Sequence, residues 1–149
     1  MIVKTGIDII EVSRIEESIK KFGNSFLNRI YTEKEIEYCE SKNVQKFQSY
    51  AGRFAAKEAI FKCVSELLDS KFDIEWKDIE ILNDKNGRPF VMFHGNLEKK
   101  LFRDISVCDI LDKDSNHNCN TKAEFQIDLS ISHINNVAVA SAVIQMEGK

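Results

Sequence analysis

Three places in the chain carry side chains suited to magnesium and phosphate chemistry: Asp8 near the start, the pair Glu58 and Lys62 in the middle, and His133 near the end. Two carboxylates, completed by water and substrate phosphate oxygens, are what proteins usually offer Mg2+, which keeps an octahedral oxygen shell. A neighbouring lysine supplies a point charge for a phosphate. These residue types therefore suit a magnesium-dependent phosphoryl-type reaction. Each also has an ordinary reading. Glu58 and Lys62 stand at i and i+4, the spacing of a weak exposed ion pair on a helix, and Asp8 fits an edge-strand aspartate facing water.

The elements that must position them follow from local pattern. Ile2 to Ile10 reads as a strand by its β-branched content, with Gly6 allowing a bulge or a close backbone approach. Alternation places Ile7 and Ile9 on one face and Asp8 and Ile10 on the other. Flanked by isoleucines, a carboxylate at Asp8 loses solvation unless a cation or donor compensates. Glu58 and Lys62 fall in a long helix expected over about Gln45 to Leu68. Its wheel is apolar almost all round, which normally marks a buried helix, yet Arg53 and Lys57 lie roughly opposite Glu58 and Lys62. Buried charges must be paired, metal-bound or neutralised.

Shorter elements surround that helix. Ser13-Arg14-Ile15-Glu16 is a capping-box pattern starting a helix at about Arg14, with Ile15, Ile19 and Phe22 inward and Gly23 at its end. Thr32 to Glu35 opens a second short helix. Trp76, Ile79 and Ile81 lead into an Asp84-Lys85-Asn86-Gly87 turn and the returning strand Pro89 to Phe93. Gly95-Asn96 can cap a helix carrying Leu97 and Leu101. Ile127, Leu129 and Ile131 alternate with Asp128, Ser130 and Ser132, and an Asn135-Asn136 turn leads to a strand over Val137 to Ile144. Paired antiparallel strands with several helices give an α+β domain, an antiparallel sheet packed on the long helix.

One domain accounts for all 149 residues, with a polar surface insertion at about 103–124. A hydrophobic content of 43% and net charge of −3 give no general pull towards nucleic acid or membrane. No apolar run is long enough to span a bilayer. Cys39, Cys63, Cys108 and Cys119 lack metal-ligand spacing and read as reduced thiols, and His117 with Cys119 makes no metal site on its own.

Three blocks in order then carry a resemblance: Gly6-Ile7-Asp8-Ile9-Ile10 with Arg14-Ile15, Gly52-Arg53-Phe54-Ala55-Ala56-Lys57-Glu58-Ala59, and Ser130-Ile131-Ser132-His133 with Ala138-Val139-Ala140. Lesser matches are Arg29-Ile30-Tyr31-Thr32 with Glu35 and Tyr38-Cys39, and Asn86-Gly87-Arg88-Pro89. The chain resembles the holo-[acyl-carrier-protein] synthases, a small class of 4′-phosphopantetheinyl transferases. The resemblance implies Mg2+-dependent transfer of the phosphopantetheine arm of coenzyme A to a serine of apo acyl carrier protein, releasing adenosine 3′,5′-bisphosphate, in fatty acid biosynthesis. It also implies a homotrimer with active sites in the clefts between subunits.

By the same resemblance Asp8 and Glu58 hold the metal. The serine proton goes to Glu58, to a metal-bound water or to His133, and Lys62 stabilises the leaving bisphosphate. Arg53 and Lys57 are expected near the coenzyme phosphates, with Gly87, Arg88, Pro89, Ser132 and His133 lining the nucleotide cleft. Arg14, Lys21 and Arg29 form a basic face for the acidic carrier. The long helix is then expected to present one apolar side to the core and another to a neighbouring subunit. Two departures stand out: no glycine turn follows the long helix at Cys63 to Leu68, and the polar insertion has no counterpart in short bacterial patterns. The insertion resembles loops of some protozoan proteins, so plastid stroma is an alternative to the cytoplasm. The rival readings are a Mg2+-dependent phosphohydrolase and a non-catalytic coenzyme A or carrier-protein binding module.

Overall fold

The structure, a computed structural model, describes residues 1–65, 74–101 and 125–146. Strand β1 (Ile2–Glu11) runs straight into helix α1 (Val12–Phe22), followed by α2 (Asn24–Ile30), α3 (Glu33–Glu40) and the 19-residue α4 (Lys46–Val64). Then come β2 (Ile79–Asn83), β3 (Pro89–Phe93), α5 (Gly95–Leu101), β4 (Phe125–His133) and β5 (Val137–Met146). Two antiparallel sheets result: three strands in the order β1-β5-β4, and the hairpin β2-β3. The tight turn joining β2 to β3 is closed by Gly87 N–H to the Asp84 carbonyl at 3.0 Å, with Gly87 at φ 82°. A side chain there would be strained, which is why glycine stands at that position.

Helix α4 lies across β1 and β5. Small residues make the approach close: Ala51, Ala55, Ala56 and Ala59 on the helix and Ala138, Ala140 and Ala142 on β5 are all at most 1% exposed. Gly6 marks the tightest crossing. A Cβ on it would stand 1.9 Å from the Ala59 carbonyl oxygen, so the sequence's close backbone approach is realised and any side chain would force β1 off the helix. Asp8 lies two residues along the same strand face and shares a cavity with Glu58, the residue before Ala59.

The register is set by a buried face of Gly6 and Ile10 on β1 against the alanines of β5, pairing Asp8 with Ala140. The opposite face leaves Ile7 64% and Ile9 69% exposed, with Val143 of β5 beside them at 43%. Most of α4 is buried within its own chain, Phe54 and Phe61 are only partly buried, and the exposed Ile7, Ile9 and Val143 belong to the sheet.

Other local expectations also change. Helix α1 begins at Val12 with Glu11 as N-cap and no side-chain cap, so the Ser13 box does not form; the Val12 N–H instead bonds the Asn136 carbonyl at 2.9 Å. Phe22 points outward, 55% exposed. The Thr32–Glu35 box does form, reciprocally. Helix α2 was not expected from the pattern. Residues 66–68 of the long-helix expectation and the polar insertion, with His117, Cys108 and Cys119, lie outside the described residues.

Candidate active site

Asp8 and Glu58 meet at one cavity. It is lined by both carboxylates together with Ile9, Ile15, Phe22, Phe26 and Phe54, and has a volume of about 490 Å³. Burial raises the Glu58 carboxyl above its ordinary proton affinity, the nearby Asp8 charge raises it further, and Lys62 opposes both. Lys62 does not make the ordinary helical pair. Its ammonium crosses to β1, donating to Asp8 Oδ1 at 3.0 Å and to the Ile7 carbonyl at 2.6 Å. The cation that desolvated Asp8 requires is therefore Lys62 in this state.

Arg14 and Lys21, one helical stripe of α1, line the same cavity. Glu17 of α1 lines it as well, so the cavity has an apolar lining, two basic residues and three carboxylates, Asp8, Glu17 and Glu58. Arg29 sits exposed on α2 and does not line it. Among the described residues no three His, Cys, Asp or Glu side chains gather into a metal cage. Two hard oxygen donors with room for water and phosphate oxygens fit Mg2+ better than a softer metal.

A second cavity, of about 270 Å³, lies on the other part of the surface and shares no lining residue with the first. Arg53, Gly87, Pro89 and His133 line it, together with Tyr38, Lys42, Ser49 and Asn83. Arg53 is 4% exposed. Its guanidinium donates to Ser49 Oγ at 3.2 Å and Asn83 Oδ1 at 2.6 Å, and Asn83 in turn donates to the Gly87 carbonyl at 2.8 Å. The hairpin turn and α4 are thereby tied to one another around this cavity.

Three expected site residues fall elsewhere. Lys57 is fully buried, paired with Glu35 Oε2 at 2.8 Å and donating to the carbonyls of Trp76 and Ile79. All three ammonium donors are used, so Lys57 holds α3, α4 and β2 together instead of facing a phosphate. Burial depresses its proton affinity, and Glu35 counters that. Arg88 turns to Asp128 at 2.9 Å beneath the hairpin, and Ser132 points to the outer sheet face. Lys42, Tyr38, Ser49 and Asn83 were not expected at the site. Tyr38 was visible only as part of a motif match, and a lysine in a turn such as Lys42 is ordinarily just solvated.

A profile of the 4′-phosphopantetheinyl transferase superfamily matches residues 4–142. The chain belongs to that superfamily. Within it the chain groups with the holo-[acyl-carrier-protein] synthases: the one from Koribacter versatilis is 39% identical over 145 residues, covering 97% of this chain and 99% of that protein. Among solved structures, the Bacillus anthracis holo-(acyl-carrier-protein) synthase in complex with coenzyme A (3′,5′-ADP) is 33% identical with a TM-score of 0.67, covering 99% of each chain. The Chronobacterium ammoniagenes ACPS–CoA complex shares the fold at a TM-score of 0.76 and 20% identity, covering 99% of this chain and all of that one. No described helix of this family member is long and apolar enough to cross a membrane.

Proposed function

We propose that the chain transfers the 4′-phosphopantetheine group of coenzyme A to a serine hydroxyl of apo acyl carrier protein, with Mg2+, leaving adenosine 3′,5′-bisphosphate. The observation that carries this reading is the convergence of Asp8 and Glu58, distant in sequence, on one cavity edged by Arg14 and Lys21. The relatives' names and the coenzyme-bound neighbours supply the substrates. A bound Mg2+ would neutralise charge on the pyrophosphate as it develops in the transition state.

The chain's own residues divide the remaining work. Asp8 and Glu58 would hold the ion. The serine proton goes to Glu58, which lines the cavity, or to His133 of the neighbouring copy's cavity. Lys62, beside the carboxylate pair at Asp8, meets the leaving bisphosphate. Arg14 and Lys21 steer the acidic carrier into the cavity, and Arg29 extends that basic face from α2.

The two cavities become one site in a homotrimer. The exposed Ile7, Ile9 and Val143 give the sheet a face that another copy can cover. Packing there brings the carboxylates of one subunit towards the Arg53, Gly87, Pro89 and His133 cavity of its neighbour, where the nucleotide sits. Fatty acid biosynthesis is the pathway this product serves, and cytoplasm or plastid stroma the compartment. The test is direct: incubate the protein with coenzyme A, Mg2+ and apo carrier, and weigh the carrier. Gain of one phosphopantetheine supports the reading; an unchanged carrier with folded protein overturns it, and hydrolysis of coenzyme A without carrier would favour a phosphohydrolase.

A further inference from the structure

Lys62 does not stay with its own helix. Glu58, one turn earlier on α4, is the ordinary i−4 partner. The ammonium instead donates to the Ile7 carbonyl of β1 at 2.6 Å and to Asp8 Oδ1 at 3.0 Å. These bonds use two of its three N–H donors, and one remains. The two partners are unequally exposed, the Lys62 side chain by 48% and that of Asp8 by 18%. Asp8 is the fixed half, on a strand pressed against α4 at Gly6, and Lys62 is the half able to move. Lys62 also acts on Glu58, lowering its proton affinity against burial and the Asp8 charge. One cation thus serves both carboxylates of the proposed metal site.

Electrostatics makes that cation a rival of the metal. The affinity of a hard cation is tuned by the charge of its oxygen ligands. Asp8 and Glu58 bring two negative charges, and Lys62 cancels one of them. An ammonium on Asp8 also repels a divalent ion held by the same carboxylate. Glu17 adds a negative charge to the cavity wall, but Arg14 and Lys21 on that wall offset it. Cation binding to the protein alone is therefore weak while Lys62 sits on Asp8. A phosphate changes the balance. It offers the half-exposed ammonium a charged acceptor in place of a backbone carbonyl, which makes the stronger hydrogen bond. With Lys62 turned to the phosphate, both carboxylates recover their full charge for the cation.

We propose that Lys62 is a built-in competitor of the metal, keeping the Asp8–Glu58 pair weak for a free divalent cation until an anionic phosphate draws the ammonium away. This rests on the function proposed above and deepens it, because it makes cation and coenzyme bind together. The measurement is Mn2+ binding to the full chain by electron paramagnetic resonance, at pH 8 with no coenzyme present. Mn2+ shares the preference of Mg2+ for oxygen ligands. Lys62→Met should bind Mn2+ about tenfold more tightly than wild type, the relief of one unit charge acting on a divalent ion in a water-exposed cleft. Lys62→Gln, uncharged but still able to bond the Ile7 carbonyl, should tighten binding equally, and Lys62→Arg, which keeps the charge, should not. Adenosine 3′,5′-bisphosphate should raise the Mn2+ affinity of wild type, and that gain should shrink about tenfold in Lys62→Met. Asp8→Asn should lose the ion throughout. Equal Mn2+ affinity in wild type, Lys62→Met and Lys62→Gln, with binding still lost in Asp8→Asn, overturns the proposal and leaves the carboxylate site and the transfer reaction standing. Mn2+ binding untouched by Asp8→Asn overturns both the proposal and the metal site on which it rests.

Discussion

Replacing Lys57 by methionine separates a structural role from a coenzyme-binding one. The ammonium is 0% exposed and is bonded to Glu35 Oε2 and the carbonyls of Trp76 and Ile79. Methionine fills similar volume but leaves the Glu35 carboxylate buried without its cation, and two carbonyls without donors. Removing one partner of a buried pair costs about 3–5 kcal/mol. Glu35 keeps the Thr32 N–H at 2.8 Å and the Ile81 N–H at 2.9 Å, which places the expected loss at the lower end, about 3–4 kcal/mol. For a chain of this size each kcal/mol moves the melting temperature by about 2–4 °C, so the shift is about 10 °C. The assay is thermal unfolding by circular dichroism at fixed protein concentration, with KM for coenzyme A measured well below the transition. The double variant Glu35→Gln/Lys57→Met should recover part of the loss, because the orphaned charge is gone. A melting temperature within about 2 °C of wild type, combined with a raised KM, would refute the reasoning and return Lys57 to the coenzyme phosphates.

Glu58→Gln should abolish transfer yet leave metal-free stability at neutral pH equal or higher, by no more than about 1 kcal/mol after solvent screening. Because the native proton affinity of Glu58 is raised, protonation favours the folded state. The metal-free wild type should therefore gain on the variant as pH falls from the raised value to the ordinary carboxylate one; melts across that window that stay parallel would contradict the assignment. Ile7→Glu, on the exposed sheet face, should convert a trimer to monomers by sedimentation and abolish transfer; a trimer that persists would mean subunits associate elsewhere. Arg14→Glu with Lys21→Glu should slow carrier modification at least tenfold and flatten its salt dependence, with binding of adenosine 3′,5′-bisphosphate preserved. Equal weakening of both ligands would remove α1 from the docking face.

Much of the fold was legible because its signals are local. The Asp84–Gly87 turn, the Thr32 capping box and the alternation of β4 each depend on a few adjacent residues, and each appears where the pattern put it. The misreadings share a different cause. Ser13 lost its cap because the Asn136 carbonyl, from the far end of the chain, takes the Val12 N–H at 2.9 Å. Helix α2 hides in the sequence because seven residues give no room for periodicity to build up. Lys57 was misplaced because its partner Glu35 lies 22 positions earlier, and neither its capping box nor its place in a motif match says that its carboxylate turns inward.

The α4 charges show why resemblance and geometry are both needed. Lys57 and Glu58 are neighbours in the most diagnostic motif of the chain, and a motif does not say which way a side chain points. On a helix, adjacent residues are about 100° apart, so one can enter the core while the next enters the cavity. Here Gly6 decides which is which. Because β1 touches α4 at the Ala59 carbonyl, the face carrying Asp8 is pressed beside Glu58, and Lys57 is turned towards α3 and β2. The same contact lets Lys62 reach Asp8, so that one cation guards the carboxylate pair and the other supports the helix bearing it. A side chain at Gly6 would therefore damage the site without touching any group that performs the chemistry.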